Sequence, residues 1–184
     1  MPTHVTLLRG VNLAGRNKLA MSDLREVVAS LGHRDVATYI QSGNVVFTAD
    51  GGDTDELADE LEAALAERTG VSCGVVVLST EQVAAVIAAN PFPDEADPRR
   101  LHAVFRRRPP DDGERAEMAA AEGRAREKGG RDELRIVGAT VYLHTPDGLG
   151  RSELDTAPLA RSRRRIGTAR NWATVTKLAA LLEG

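Results

Sequence analysis

Two short β-rich runs separated by two residues occur twice in this chain, each time after a lone strand and a helix. "DVATYIQ" and "NVVFTA" flank Ser42-Gly43, and "ELRIV" and "TVYLH" flank Gly138-Ala139. Such short connections between β-branched runs predict tight hairpins. "HVTLLR" (4–9) and a helical stretch precede the first pair. "LHAVFR" (101–106) and an alanine-rich helix from Asp111 to about Lys128 precede the second. A strand joined to the next by a helix makes a right-handed crossover, so the two run in the same direction. The loop leaving the first strand and the turn of the hairpin therefore lie at one end of the sheet. For the first half these are "RGVNLAGRNK" and "QSGN".

The remaining elements follow from periodicity and punctuation. Ser22 reads as an N-cap, with Leu24, Val27, Val28 and Leu31 on one helical face closed by Gly32. Thr54 opens a helix that turns Leu57, Leu61, Ala64, Leu65 and Arg68 inward and ends near Gly70, before a strand at "VSCGVVVL" (71–78). Ser79 and Gln82 have capping-box spacing for a helix that stops at Asn90-Pro91. The first half thus reads βαββαβ. "NPFPDEADP" (90–98), with three prolines, marks the division into 1–90 and 91–184. The second half reads βαββ, an irregular insert without a fourth strand, and a final helix. Asn171 caps that helix, and Trp172, Val175, Ala179 and Leu182 share a face. The expected class is α+β: two tandem α/β-plait subdomains, the second irregular. Both faces of the first sheet look apolar ("VVVL", "VVF"), so its helix-free side is expected to be covered.

Composition excludes several classes. The 184-residue chain has one cysteine, Cys73, within a strand-like run; it reads as a buried, inert thiol in a reducing compartment rather than as a nucleophile. The N-terminus does not read as a signal peptide, and no apolar run approaches the roughly 20 residues of a membrane helix, so a cytoplasmic protein is expected. Residues 1–92 carry 6 Lys+Arg against 12 Asp+Glu, whereas residues 149–184 carry 7 against 3. A weakly acidic chain with a basic end is not a general nucleic-acid binder, but it can hold a local anion site. Aromatics make up only 3% of the chain, and the first strand has none, which disfavours base stacking on the sheet.

The first polar concentration is the end built from Arg9, Asn12, Asn17 and Lys18 together with Gln41, Ser42 and Asn44. No acid precedes Asp23. Glycines at 10, 15 and 43 admit close backbone approach, and such donors suit a phosphate or carboxylate. The loop is neither G-x-x-x-x-G-K-[ST] nor G-x-G-x-x-G. The competing reading is a turn whose asparagines bond locally and whose cations are solvated.

The second concentration is "HTPDGLGRSEL" with "RSRRRIGTARNW". Arg151 and Ser152 follow the Pro146-Asp147-Gly148 turn. Arg170 and Asn171 sit before the last helix, where main-chain N–H groups favour anions. Arg163, Arg164 and Arg165 read as a solvated run. The four histidines lack metal-ligand spacing and no second cysteine exists, so no metal is expected; other cofactors are not specified. His144, beside Tyr142 and Asp147, is the best general acid/base candidate, although a lone strand-end histidine is more often structural.

"LLRGVNLAGRNKLAMSDLREVVASLG", "VATYIQSGNVVF", "YLHTPDGLGRSEL" and "TARNWATVTKL" closely resemble an uncharacterised bacterial family, domain of unknown function 1697. The resemblance implies tandem ferredoxin-like subdomains and brings no activity, substrate or catalytic residue. The expected function is an anionic small-molecule site lined by "LRGVNLAGRNK", "QSGN", "GRS" and "ARNW". The alternative is a non-catalytic module that engages protein or nucleic acid through the basic C-terminal third. Neither reading specifies a reaction or an oligomeric state.

Overall fold

The computed structural model describes residues 1–13, 15, 17–154 and 167–184. Its contacts divide the chain into two units, Met1–Ala85 with Lys177–Gly184, and Val86–Thr176. The first contains β1 (His4–Leu8), α1 (Met21–Ser30), β2 (Arg34–Tyr39), β3 (Asn44–Thr48), α2 (Thr54–Thr69) and β4 (Val75–Ser79), followed by the start of α3 (Thr80–Ala88). Strand order is β2-β3-β1-β4, and every neighbouring pair is antiparallel. Because β1 and β2 both oppose β3, they run parallel, as the crossover requires.

The second unit contains β5 (Leu101–Arg106), α4 (Asp112–Glu127), β6 (Glu133–Val137), β7 (Thr140–His144), a 3-10 turn at Leu149–Arg151, β8 (Gly167–Asn171) and the start of α5 (Trp172–Glu183). Its order, β6-β7-β5-β8, repeats that of the first. The expected missing fourth strand is therefore present: β8 pairs with β5 from Gly167↔Arg106 to Asn171↔His102. It escapes a search for apolar runs because two of its buried positions are Thr168 and Arg170.

Local chemistry explains the elements. Asp53 caps α2 by accepting from the N–H groups of Asp55 and Glu56, and Gly70 ends it in the left-handed region. Ser79 and Gln82 form the expected reciprocal capping pair. Asp111 and Glu114 form another at α4. Two expectations need correction. Ser22 lies inside α1, which starts at Met21 after Ala20 without a side-chain cap. Arg68 is exposed, because α2 turns only Leu57, Ala58, Leu61, Ala64 and Leu65 inward.

These apolar faces, with Leu24, Val27 and Val28 of α1, pack on Val45, Phe47, Val75 and Val77 in one core. All five residues of β1 are buried, so neither of its faces is wet. The second unit packs Met118, Ala121 and Ala125 of α4 on Val104, Val141 and Leu143. Tyr142 is fully buried, and its hydroxyl donates to the Val86 carbonyl at 2.7 Å, which satisfies the polar tip.

The β2–β3 turn closes on the core through Gly43. Its φ is +74°, and a Cβ there would lie 2.7 Å from both Leu8 Cβ and Val11 Cγ2. Left-handed strain and this overlap act together, so Gly43→Ala is expected to lower unfolding free energy by about 2–4 kcal/mol, measured by urea denaturation. Gly10→Ala meets no atom within 4 Å and carries only the conformational penalty.

Candidate functional site

The two polar segments of the first unit meet as the crossover demands. The Leu8 N–H donates to the Gly43 carbonyl at 2.8 Å, and the Arg9 N–H to Gly74 at 2.8 Å. The centre of the assembly is Asn12. Its Oδ1 accepts from the Leu19 N–H at 2.9 Å. Its Nδ2 donates to the Leu19 carbonyl at 2.9 Å and to the Gln41 carbonyl at 3.0 Å. One side chain thus ties the start of the loop, its end and the hairpin turn.

The other asparagines also serve the backbone. Asn17 donates from Nδ2 to the Gly10 carbonyl at 3.1 Å, and its carbonyl accepts from the Asn12 N–H at 3.0 Å. Asn44 is fully buried and donates to the Tyr39 carbonyl at 3.0 Å and to Ser42 Oγ at 2.8 Å. Asn12 and Asn17 have φ of +54° and +47°, a region asparagine tolerates better than most residues. The asparagines shape this end. Lys18 and Gln41 are exposed on it, and Arg9 is half-buried. Ile40, beside Gln41, has φ +50°, a conformation rarely adopted by a β-branched residue. Sequence periodicity gives no hint of this.

The segment before β4 completes the end. Residues 71–74, expected to be strand, precede the ladder, which begins at Val75. Glu62 of α2 accepts from the Val75 N–H at 2.8 Å. Burial, with Glu62 adding to it, pushes the Cys73 thiol up to about 11. A thiolate is correspondingly scarce at neutral pH.

In the second unit, β7 and β8 both finish at the end of the sheet where β5 starts, so "GRS" and "ARNW" leave the same end. Three of their side chains are bonded within the unit. Ser152 Oγ donates to Asp132 at 3.0 Å. Asn171 Oδ1 accepts from the Thr174 N–H at 2.9 Å, the expected cap. Arg170 is 8% exposed, and its guanidinium donates to Thr168 Oγ1 at 2.7 Å and to the Ala169 carbonyl at 2.8 Å. Burial pushes its pKa down to about 10. Arg151 is exposed. Residues 163–165, the arginine run, lie outside the described residues.

His144 borders a groove of about 270 Å³ lined by Pro91, Phe92, Pro93, Asp94 and Glu95. Its Nε2 lies 2.8 Å from Glu95 Oε2, and its Nδ1 is buried without a hydrogen bond, 3.8 Å from Glu133. The Phe92 ring packs against the imidazole at 4.8 Å. The His144 hydrogen bond, with the Asp97 N–H second, holds the Glu95 carboxyl below the usual range. Neither ring nitrogen is presented to the groove for proton transfer; the pair clamps the 91–95 segment to β7.

The family model described as "Protein of unknown function (DUF1697)" matches residues 1–142. The chain belongs to this family. The expected family resemblance is thereby met. No curated protein matches. A solved structure, that of the conserved bacterial protein SP0830 from Streptococcus pneumoniae, is similar with a TM-score of 0.69 at 24% identity, over 98% of each chain. That likeness concerns the fold, an α+β arrangement of two four-stranded antiparallel sheets carrying helices. Among the described residues, no helix of this DUF1697 member is long and apolar enough to cross a membrane.

Two outcomes test the local geometry. Asn12→Asp cannot donate to the Leu19 and Gln41 carbonyls and sets a negative charge against them, so a loss of about 2–3 kcal/mol is expected in denaturant melts. Alkylation of Cys73 in the native protein is expected to run roughly 100-fold slower at pH 7 than that of a free cysteine, and to accelerate up to about pH 11.

Proposed function

We propose that this DUF1697 protein binds a small anion, a phosphate or carboxylate, at the β1–α1 loop end of its first unit. The observation that carries the reading is the Asn12 arrangement: three backbone segments are fixed by one side chain, and the exposed Lys18 adjoins one of them. A fixed frame lowers the ordering penalty of binding. Gly10 and Gly15 support it, since each has left-handed φ and open space around its Cα. The loop stretch itself carries Arg9, Arg16 and Lys18 with no acid before Asp23, which supports an anion as its ligand. Glu62 of α2, which approaches this end, accepts from the Val75 N–H.

The second unit contributes less in this reading than the sequence suggested. Arg170, Ser152 and Asn171 have bonds within their own unit, and Arg151 is exposed. The proposal places the ligand on the exposed Lys18 and the loop backbone, with Arg9, Gln41 and Ser42 beside them. It specifies no reaction.

Titration calorimetry with inorganic phosphate, at ionic strength held constant with chloride, tests it. Saturable binding is expected for the parent. Lys18→Glu, an exposed change, should retain the parent melting temperature and weaken binding at least about tenfold, the size of one charge-assisted bond. Equal phosphate and acetate affinities in parent and variant would overturn the reading.

A further inference from the structure

We infer that the anion carries an apolar body, which rests on Leu13 and Ile40. This inference rests on the anion reading above and names the class of ligand it takes: an amphiphilic phosphate or carboxylate in monomeric form.

The two residues are among the few large apolar side chains the described residues leave open, Leu13 at 63% exposure and Ile40 at 51%. Their placement is what makes them informative. Leu13 follows Asn12, whose Nδ2 donates to the carbonyl of Gln41, the residue after Ile40. Lys18 precedes Leu19, whose N–H and carbonyl are both bonded to the same amide. Each of the three side chains is therefore one residue from a backbone position bonded to or belonging to Asn12. Two apolar residues and one cation thus adjoin, in sequence, the three residues that the Asn12 side chain ties together.

Ile40 adds an independent argument. Its backbone is in the left-handed region, φ +50°, which a β-branched side chain disfavours. Folding alone would be better served there by glycine or asparagine. The side chain gives little back to the core, since half of it faces solvent. A strained conformation that holds an apolar group outward is explained by what that group touches beyond the fold. The positive loop selects the charge of the ligand; the two apolar groups select its body.

The experiment compares methyl phosphate, hexyl phosphate below its aggregation threshold, and hexanol, by calorimetry and by amide chemical shifts of residues 9–19 and 40–43. Hexyl phosphate is expected to bind the parent at least tenfold more tightly than methyl phosphate, with hexanol weaker than either. Ile40→Gly should melt at or above the parent temperature, keep the methyl phosphate affinity and lose the gain from the hexyl chain. Leu13→Ser, an exposed change, should lose part of the same gain. Equal binding of methyl and hexyl phosphate overturns this inference and leaves the anion site standing. Binding of neither phosphate overturns both. Retention of the hexyl gain in Ile40→Gly also overturns the inference. So does binding to phosphatidylglycerol vesicles without binding of monomeric hexyl phosphate, which would assign this end to a membrane surface.

Discussion

The first helix carries the chain past a place in the sheet that is still empty. β2 must be set down parallel to β1 at a distance of two strands, so that β3 can return between them. Everything at the polar end of the first unit depends on this separation. It brings the β1–α1 loop over the β2–β3 turn. It also explains why the turn is tight against the core: Gly43 lies where the returning strand must pass beside Leu8 and Val11. Asn12 then fixes two segments that are distant in sequence and adjacent by topology.

Much of this was readable in the residues. Hairpin spacing, capping pairs and apolar periodicity identified the order of elements in the first unit and the end at which its loops meet. The same signals failed at β8. Strand detection relies on alternation of apolar and polar residues, and in "GTARN" the buried positions include a threonine and an arginine that satisfy one another. Ser22 failed for a related reason. It has the right chemistry for a cap but comes two residues after the cap position, Ala20, and the helix starts without a side-chain cap.

The meeting of the two polar segments was legible more than the work of their residues. The asparagines that advertised it bond to the chain's own carbonyls, because amide side chains that tolerate left-handed backbone are suited to stitching a loop. Arg170 and His144, conspicuous as chemistry in the sequence, are engaged by Thr168 and Glu95 respectively. Conversely, the same end leaves two apolar residues, Leu13 and Ile40, exposed without any motif to announce them. Ile40 stands out through a backbone angle, and a sequence does not display angles. Polar residues at structural joints and apolar residues at the surface invert the usual assignment.

Glu114 belongs to two partners of different kinds. One oxygen of its carboxylate accepts from the Asp111 N–H at the start of α4, and the other accepts from Arg106 at 2.7 Å, where the guanidinium at the end of β5 is 2% exposed. The charge that neutralises a buried arginine of the sheet is thus the same charge that closes the first turn of the helix. A helix cut out with its own sequence would still possess a capping pair, but not the cation that fixes where the pair sits. The boundary of α4 is in this sense written partly in the strand before it: sheet and helix share one carboxylate, and neither can shift its register without the other.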